Sequence, residues 1–161
     1  MADVWAENRQ GRVRIDTENL AWFGERVLKA IGRPEATLSV VVTDAGGIRV
    51  FNRDYLNRDR PTNVISFSMS EGEHIAGDDA YLGDVVLSVD AAMDESVKFG
   101  YDPGEMLLLY LIHGILHLSG YDHEGVDEAT AKEMEEKQVE LLRALSPLLA
   151  IHPLTVFCEP E

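Results

Sequence analysis

Three of the chain's five histidines fall within residues 113–123, HGILHLSGYDH, at a spacing with chemical meaning. His113 and His117 are four apart, which on an α-helix stacks them on one face, one turn from each other, so that both imidazoles reach a single ion. Gly120 supplies a residue able to turn left-handed just past the last helical turn, and folding back there carries His123 round to the same ion. Three neutral imidazoles with one position left open to water or substrate suit a catalytic zinc, one per chain. The competing reading, polar residues that happen to end a buried helix, leaves the ligand offsets unexplained.

The pattern H-x-x-x-H-x-x-G-x-x-H is similar to the zinc signature of the metzincin proteases, with one difference. Those enzymes place a glutamate, the general base, directly after the first histidine. Here that residue is Gly114, which has no side chain with which to take a proton. The metal-binding half of the motif is present and the peptide-hydrolysis half is missing.

The elements that position these residues follow from hydrophobic patterning. Asp102, Pro103 and Glu105 form a helix start, with cap, first-turn proline and reciprocal acid at the expected offsets. From Met106 to Ile112 every residue is apolar, which predicts a helix buried nearly all round, a rigid mount for two ligands at its C-terminal end. Upstream, RVRI (12–15) reads as a short strand. Asp16 or Thr17 caps a helix with Leu20, Phe23, Val27 and Leu28 inward, and TLSVVV (37–42) is a strand rich in β-branched residues. A helix over 45–57 places Arg49 and Arg53 away from its apolar face, and NVISFS (63–68) and YLGDVVLSV (81–89) complete four strands. Asp84 is either a strand-end hydrogen-bonding group or an outer partner of a ligand histidine. Residues 69–80 read as a polar loop, a short helix ends at Gly100, and a solvated helix covers 126–145. The expectation is an α+β fold: a single domain over residues 1–145 in which a mixed four-stranded sheet packs with about five helices, including a central buried metal-bearing helix, followed by a tail over 146–161. The helix after the second strand allows a parallel crossover to the third, and the third and fourth strands are expected to pair antiparallel.

A chain of 161 residues that is 45% hydrophobic is long enough for one real core. Its single cysteine, Cys158, excludes an intrachain disulfide, and no run reaches the roughly 18 apolar residues of a membrane span. With no basic and apolar leader in MADVWAENRQ, a cytoplasmic protein is expected. A net charge of -15 argues against a polyanionic partner until its distribution is considered. Residues 1–60 hold ten Lys and Arg against nine acids, whereas residues 61–161 hold four against twenty. Arg53, Arg58 and Arg60 are the densest positive cluster and the candidate substrate-binding residues, although a solvated helix face and loop would use arginines in the same way.

The run LIHGILHLSGYDHEG, with RDRPTNVISF upstream and YLGDVVLS between them, resembles the YbeY family of bacterial rRNA maturation factors. The blocks stand in the family's order and span Asn52 to Gly125. The resemblance implies a zinc-dependent, single-strand-specific endoribonuclease serving rRNA maturation, ribosome biogenesis and ribosome quality control. Its implied partners are precursor rRNA and the ribosome or ribosomal proteins, with no DNA and no membrane. The family's three zinc ligands carry over to His113, His117 and His123. Many relatives have an arginine, thought to help catalysis or RNA binding, after the tyrosine that corresponds to Tyr55, just before the RDRPTNVISF run; this chain has Leu56 there. No residue is assigned as the catalytic acid or base.

Two rivals stand beside this reading. A metalloprotease would need Asp122 or Glu124 to replace the missing base, and a non-catalytic ribosome-assembly factor would use the metal only to pin the loop. Under any of them the ion depends on the histidines. Replacing His117 by alanine is expected to remove most zinc from the purified protein, measured by metal analysis; one tightly held zinc per chain in that variant would rule the site out.

Overall fold

The computed structural model describes residues 3–68, 81–120 and 128–156. In chain order the elements are β1 (Asp3–Asn8), β2 (Arg14–Ile15), α1 (Thr17–Ala30), β3 (Thr37–Thr43), α2 (Ala45–Leu56), β4 (Val64–Ser68) and β5 (Tyr81–Ser88). They continue with α3 (Val89–Phe99), α4 (Pro103–Leu118), α5 (Glu128–Leu145), a 3-10 turn (Ser146–Ala150) and β6 (Thr155–Val156). The expected α+β class, with a mixed four-stranded sheet and five helices, is what the chain adopts.

The main sheet has the order β1-β3-β5-β4, with β1 and β5 parallel to β3 and β4 antiparallel to β5. Because β3 and β5 lie inside the sheet and both faces are covered, apolar side chains point to both sides of it. Leu38, Val40, Val42, Val85 and Leu87 join the large core beneath α1 and α4, while Val41 and Val86 join Ile48 and Ile65 in a smaller core beneath α2. Asp16 caps α1, its Oδ1 accepting from the Asn19 N–H at 2.9 Å, and Phe23, Val27 and Leu28 are buried against the sheet. Helix α4 starts where expected, the Glu105 Oε1 accepting from the Asp102 N–H at 3.3 Å.

Two expectations about the sheet are corrected. Residues 12–15 do not enter it: Arg14 and Ile15 pair antiparallel with Val156 and Thr155 in a separate two-stranded sheet, and the fourth main strand is Asp3–Asn8. As an edge strand β1 buries Val4 and leaves most other side chains exposed, so DVWAEN carries little of the apolar signal by which strands are recognised. The parallel neighbour of β3 is β5 and not β4, which lies outside β5 as an antiparallel edge. That the third and fourth expected strands pair antiparallel holds.

Residues 146–156 fold back onto the body. Leu154 is buried in the large core, the His152 ring stacks on Trp22 with centroids 4.0 Å apart, and Asn19 Nδ2 donates to the Pro153 carbonyl at 2.9 Å. Elsewhere, Asp90 accepts from the Ala45 N–H at 2.6 Å and pairs with Arg12, tying α2 to α3. The Ala45 hydrogen bond, and after it the Arg12 guanidinium, hold the Asp90 carboxyl below the usual carboxylate range.

Helix α4 comes down hard on the sheet at Gly114. A Cβ there would stand 2.6 Å from Val85 Cγ1 and 3.1 Å from Ser66 Oγ, well inside normal contact. The glycine is therefore a packing requirement as well as a missing base. Gly114→Ala is expected to destabilise the fold by about 1–3 kcal/mol through overpacking, read as a lower urea midpoint at unchanged m-value.

Candidate functional site

Nearly every α4 side chain is buried between the sheet, α1, α3 and α5. Along its length Glu105, Leu109, His113 and His117 are left partly open, and they recur every fourth position as a single stripe. The two histidines end that stripe. Their ring centroids are 5.2 Å apart with planes inclined at 58°, so the imidazoles stand side by side on one helix face as their spacing requires. Ser119 closes the helix, its N–H bonding back to the Ile115 carbonyl at 3.0 Å, and Gly120 follows at φ 97°, a left-handed turn that suits glycine.

Both histidines line a cleft of about 730 Å³ that runs along the edge strand β4. Ser66 and Ser68 of β4 form one wall, and Ser66 Oγ donates to the Gly114 carbonyl at 3.0 Å, fastening the histidine-bearing turn to the strand. The lining continues with residues from the end of α2 and the turn after it: Asn52, Leu56, Arg58 and Arg60. Of the three arginines singled out from the sequence, Arg58 and Arg60 thus share a cleft with His113 and His117. Arg53 lies on the exposed face of α2, with Nε donating to Asp54 at 3.0 Å. Leu56 also faces the cleft.

The arginine turn is built on a polar residue in an apolar register. Asn52 follows Ile48 by one helical turn and is almost wholly buried. Its Nδ2 donates to the Arg60 carbonyl at 2.9 Å and its backbone carbonyl accepts from the Arg58 N–H at 3.1 Å, while Asn57 ends the helix left-handed at φ 60°. Arg49 pairs with Asp59 through Nε at 2.8 Å, which neutralises that acid and raises the guanidinium pKa through the same hydrogen bond. Sequence reasoning passed over Asn52; the signal was an asparagine at a position of helical apolar periodicity. It also missed Ser66 and, on α5, Gln138, whose Oε1 lies 2.8 Å from His113 Nδ1. Nothing in the spacing of residues 113–123 points to a group 25 positions away.

Asp84 accepts from the Tyr81 hydroxyl at 2.7 Å, the structural alternative for that carboxylate, and burial, aided by this bond, pushes the phenol up to about 12. Tyr110 donates to Glu95 at 2.7 Å, and Glu95 also receives Asn63 Nδ2 at 3.1 Å, so α3, α4 and the start of β4 share one carboxylate.

The donor chemistry of the cleft fits zinc: two imidazoles one turn apart on a rigid, buried helix, with nitrogen ligands of the kind that ion prefers. His123, with Asp122 and Glu124, lies outside the described residues, and so do His74 and Cys158. Among the described residues no group of three or more His, Cys, Asp or Glu side chains gathers as a metal site.

Comparison with known proteins agrees with this architecture. The family described as Endoribonuclease YbeY matches residues 5–146. A Geobacter metallireducens protein named Endoribonuclease YbeY is 50% identical over 138 residues, covering 86% of this chain and 92% of its own. Proteins of that name from Syntrophotalea carbinolica and Pelotomaculum thermopropionicum are 42% and 40% identical, over 88% and 89% of this chain and 94% and 97% of theirs. The solution structure of TM1509 from Thermotoga maritima superposes with a TM-score of 0.64 at 24% identity, over 93% of each chain, and so shares the fold.

Removing the Asn52 amide leaves the Arg60 carbonyl without its donor. Asn52→Leu is expected to lower stability by about 1–3 kcal/mol and to speed amide exchange selectively at 57–60, followed by hydrogen-exchange mass spectrometry.

Proposed function

The chain belongs to the endoribonuclease YbeY family, and on that premise we propose that it is a zinc-dependent endoribonuclease acting on single-stranded RNA. The observation that carries the reading is the sharing of one cleft by His113, His117, Arg58 and Arg60. An imidazole pair beside two guanidinium groups suits a phosphodiester, whose charge the arginines offset while the ion is held opposite. His113, His117 and His123 hold one zinc per chain. When bound, zinc supplies Lewis acidity toward a phosphoryl oxygen and makes water a stronger acid.

The chain's own groups do the rest. Arg58 and Arg60, on the turn held by Asn52, bind the backbone phosphates and orient the scissile group toward the histidine wall. Arg53, farther out on α2, extends the positive strip along the strand's path. Ser66 keeps the histidine-bearing turn against β4, so the imidazoles do not shift as substrate enters. RNA is favoured over DNA because its 2′-hydroxyl offers an internal nucleophile beside the phosphate, and single strands because a free backbone can follow a cleft along a sheet edge. A peptide amide is a poor substrate, since its leaving nitrogen must be protonated and Gly114 supplies no acid or base. Precursor rRNA is the substrate, the ribosome or its proteins the partner and the cytoplasm the compartment of this reading. No helix among the described residues is long and apolar enough to cross a membrane.

The test compares zinc-loaded and chelator-treated protein on a single-stranded RNA, its DNA counterpart and an unstructured peptide. Cleavage of the RNA alone, lost with chelator and restored by zinc, is expected. Changing Arg58 and Arg60 together to glutamine should weaken RNA binding and reduce the slope of log K against log salt by about 0.7 for each phosphate no longer neutralised. Peptide hydrolysis that tracks zinc content, without RNA cleavage, would overturn the reading, and an unchanged salt slope would place the RNA elsewhere.

A further inference from the structure

Helix α5 looks from its sequence like a solvated helix, with salt bridges Lys132–Glu136 and Lys137–Glu140 on its surface. Gln138 is a polar residue on its covered side, which also buries Met134, Leu141 and Leu145. The side chain is partly buried between α5 and α4, and its Oε1 meets His113 Nδ1 at 2.8 Å, a normal hydrogen-bond length.

We propose that Gln138 is a positioning residue for the metal centre: it selects the Nδ1–H tautomer of His113 and leaves the Nε2 lone pair as the ligand. A carboxamide oxygen only accepts, so the nitrogen facing it carries the proton. A neutral imidazole holds one proton, and with Nδ1 taken, Nε2 is the nitrogen that can donate to an ion. The bond also stops rotation about the Cβ–Cγ axis, so His113 meets the ion already oriented. His113 is placed from two sides: Ser66 fixes the backbone of the next residue against β4, and Gln138 fixes the ring from α5. A neutral partner has a further consequence. It orients the ring without adding negative charge beside a cleft that must admit a polyanion. This inference rests on the zinc reading given above.

The test uses the full chain with Gln138→Met, similar in size but lacking the oxygen acceptor, and Gln138→Glu, which keeps an acceptor oxygen at the same reach. In metal-free protein at neutral pH, the ring-nitrogen resonances of His113 should show protonated Nδ1 in the parent and in Gln138→Glu, and a mixture of tautomers in Gln138→Met. Zinc affinity, from chelator competition on samples matched for thermal stability, should fall about 10- to 100-fold in Gln138→Met and stay within a few-fold of the parent in Gln138→Glu. A folded Gln138→Met with parental zinc affinity and the parental tautomer would overturn the proposal. If the parent itself takes up no zinc, the function proposed above fails, and the metal-free resonances then decide this inference. A tautomer fixed in the parent and released in Gln138→Met supports it, and the same mixture in both overturns it.

Discussion

The burial of α4 is the constraint on which the other features depend. A helix that is apolar from Met106 to Ile112 must be covered on nearly every side, by the sheet beneath and by α1, α3 and α5 around it. The glycine at 114 lets it descend onto Val85. What remains open is one stripe at four-residue spacing, and the histidines stand at its end, where the helix passes the edge strand. The chemistry is thus confined to the place where the core element meets solvent. A helix packed this tightly does not drift, which is what the proposed ligand set needs of its mount.

The same arrangement reconciles an acidic chain with a polyanionic substrate. Of the fourteen Lys and Arg, ten lie in the first sixty residues, and two of these, Arg58 and Arg60, are brought to the cleft by a turn that Asn52 holds from within. Asp59 between them is paired with Arg49, so its charge does not oppose theirs. Net charge describes the field at a distance, whereas the potential in a cleft is set by the few groups that line it. Leu56 adds no charge to that wall, which is left to the two arginines that follow.

The polar interactions around the site share a logic. Ser66, Asn52 and Gln138 are each neutral, each at least partly buried, and each bonded to the backbone or ring of a segment that carries the cleft's histidines or arginines. Neutral groups can be buried at modest cost when satisfied, and they hold geometry without altering the charge balance of the site.

What the sequence determined by itself was local. The four-residue spacing of His113 and His117, the cap and proline that begin their helix, the β-branched strands and the fold class depend on neighbours along the chain, and the structure bears out those elements. Tertiary structure alone decided which segments meet. Asp3–Asn8 joined the sheet in place of residues 12–15 because an edge strand needs only one apolar face and a partner, and β5 took the place beside β3 because pairing is settled by packing over both faces. Arg58 and Arg60 came to line one cleft with the histidines, Gln138 reached His113 across 25 residues, and Gly114 proved to be a place where Val85 leaves no room for a side chain as well as a missing base. Periodicity encodes which face of an element is apolar, but not which other face it will find, since that depends on the free energy of the whole assembled core.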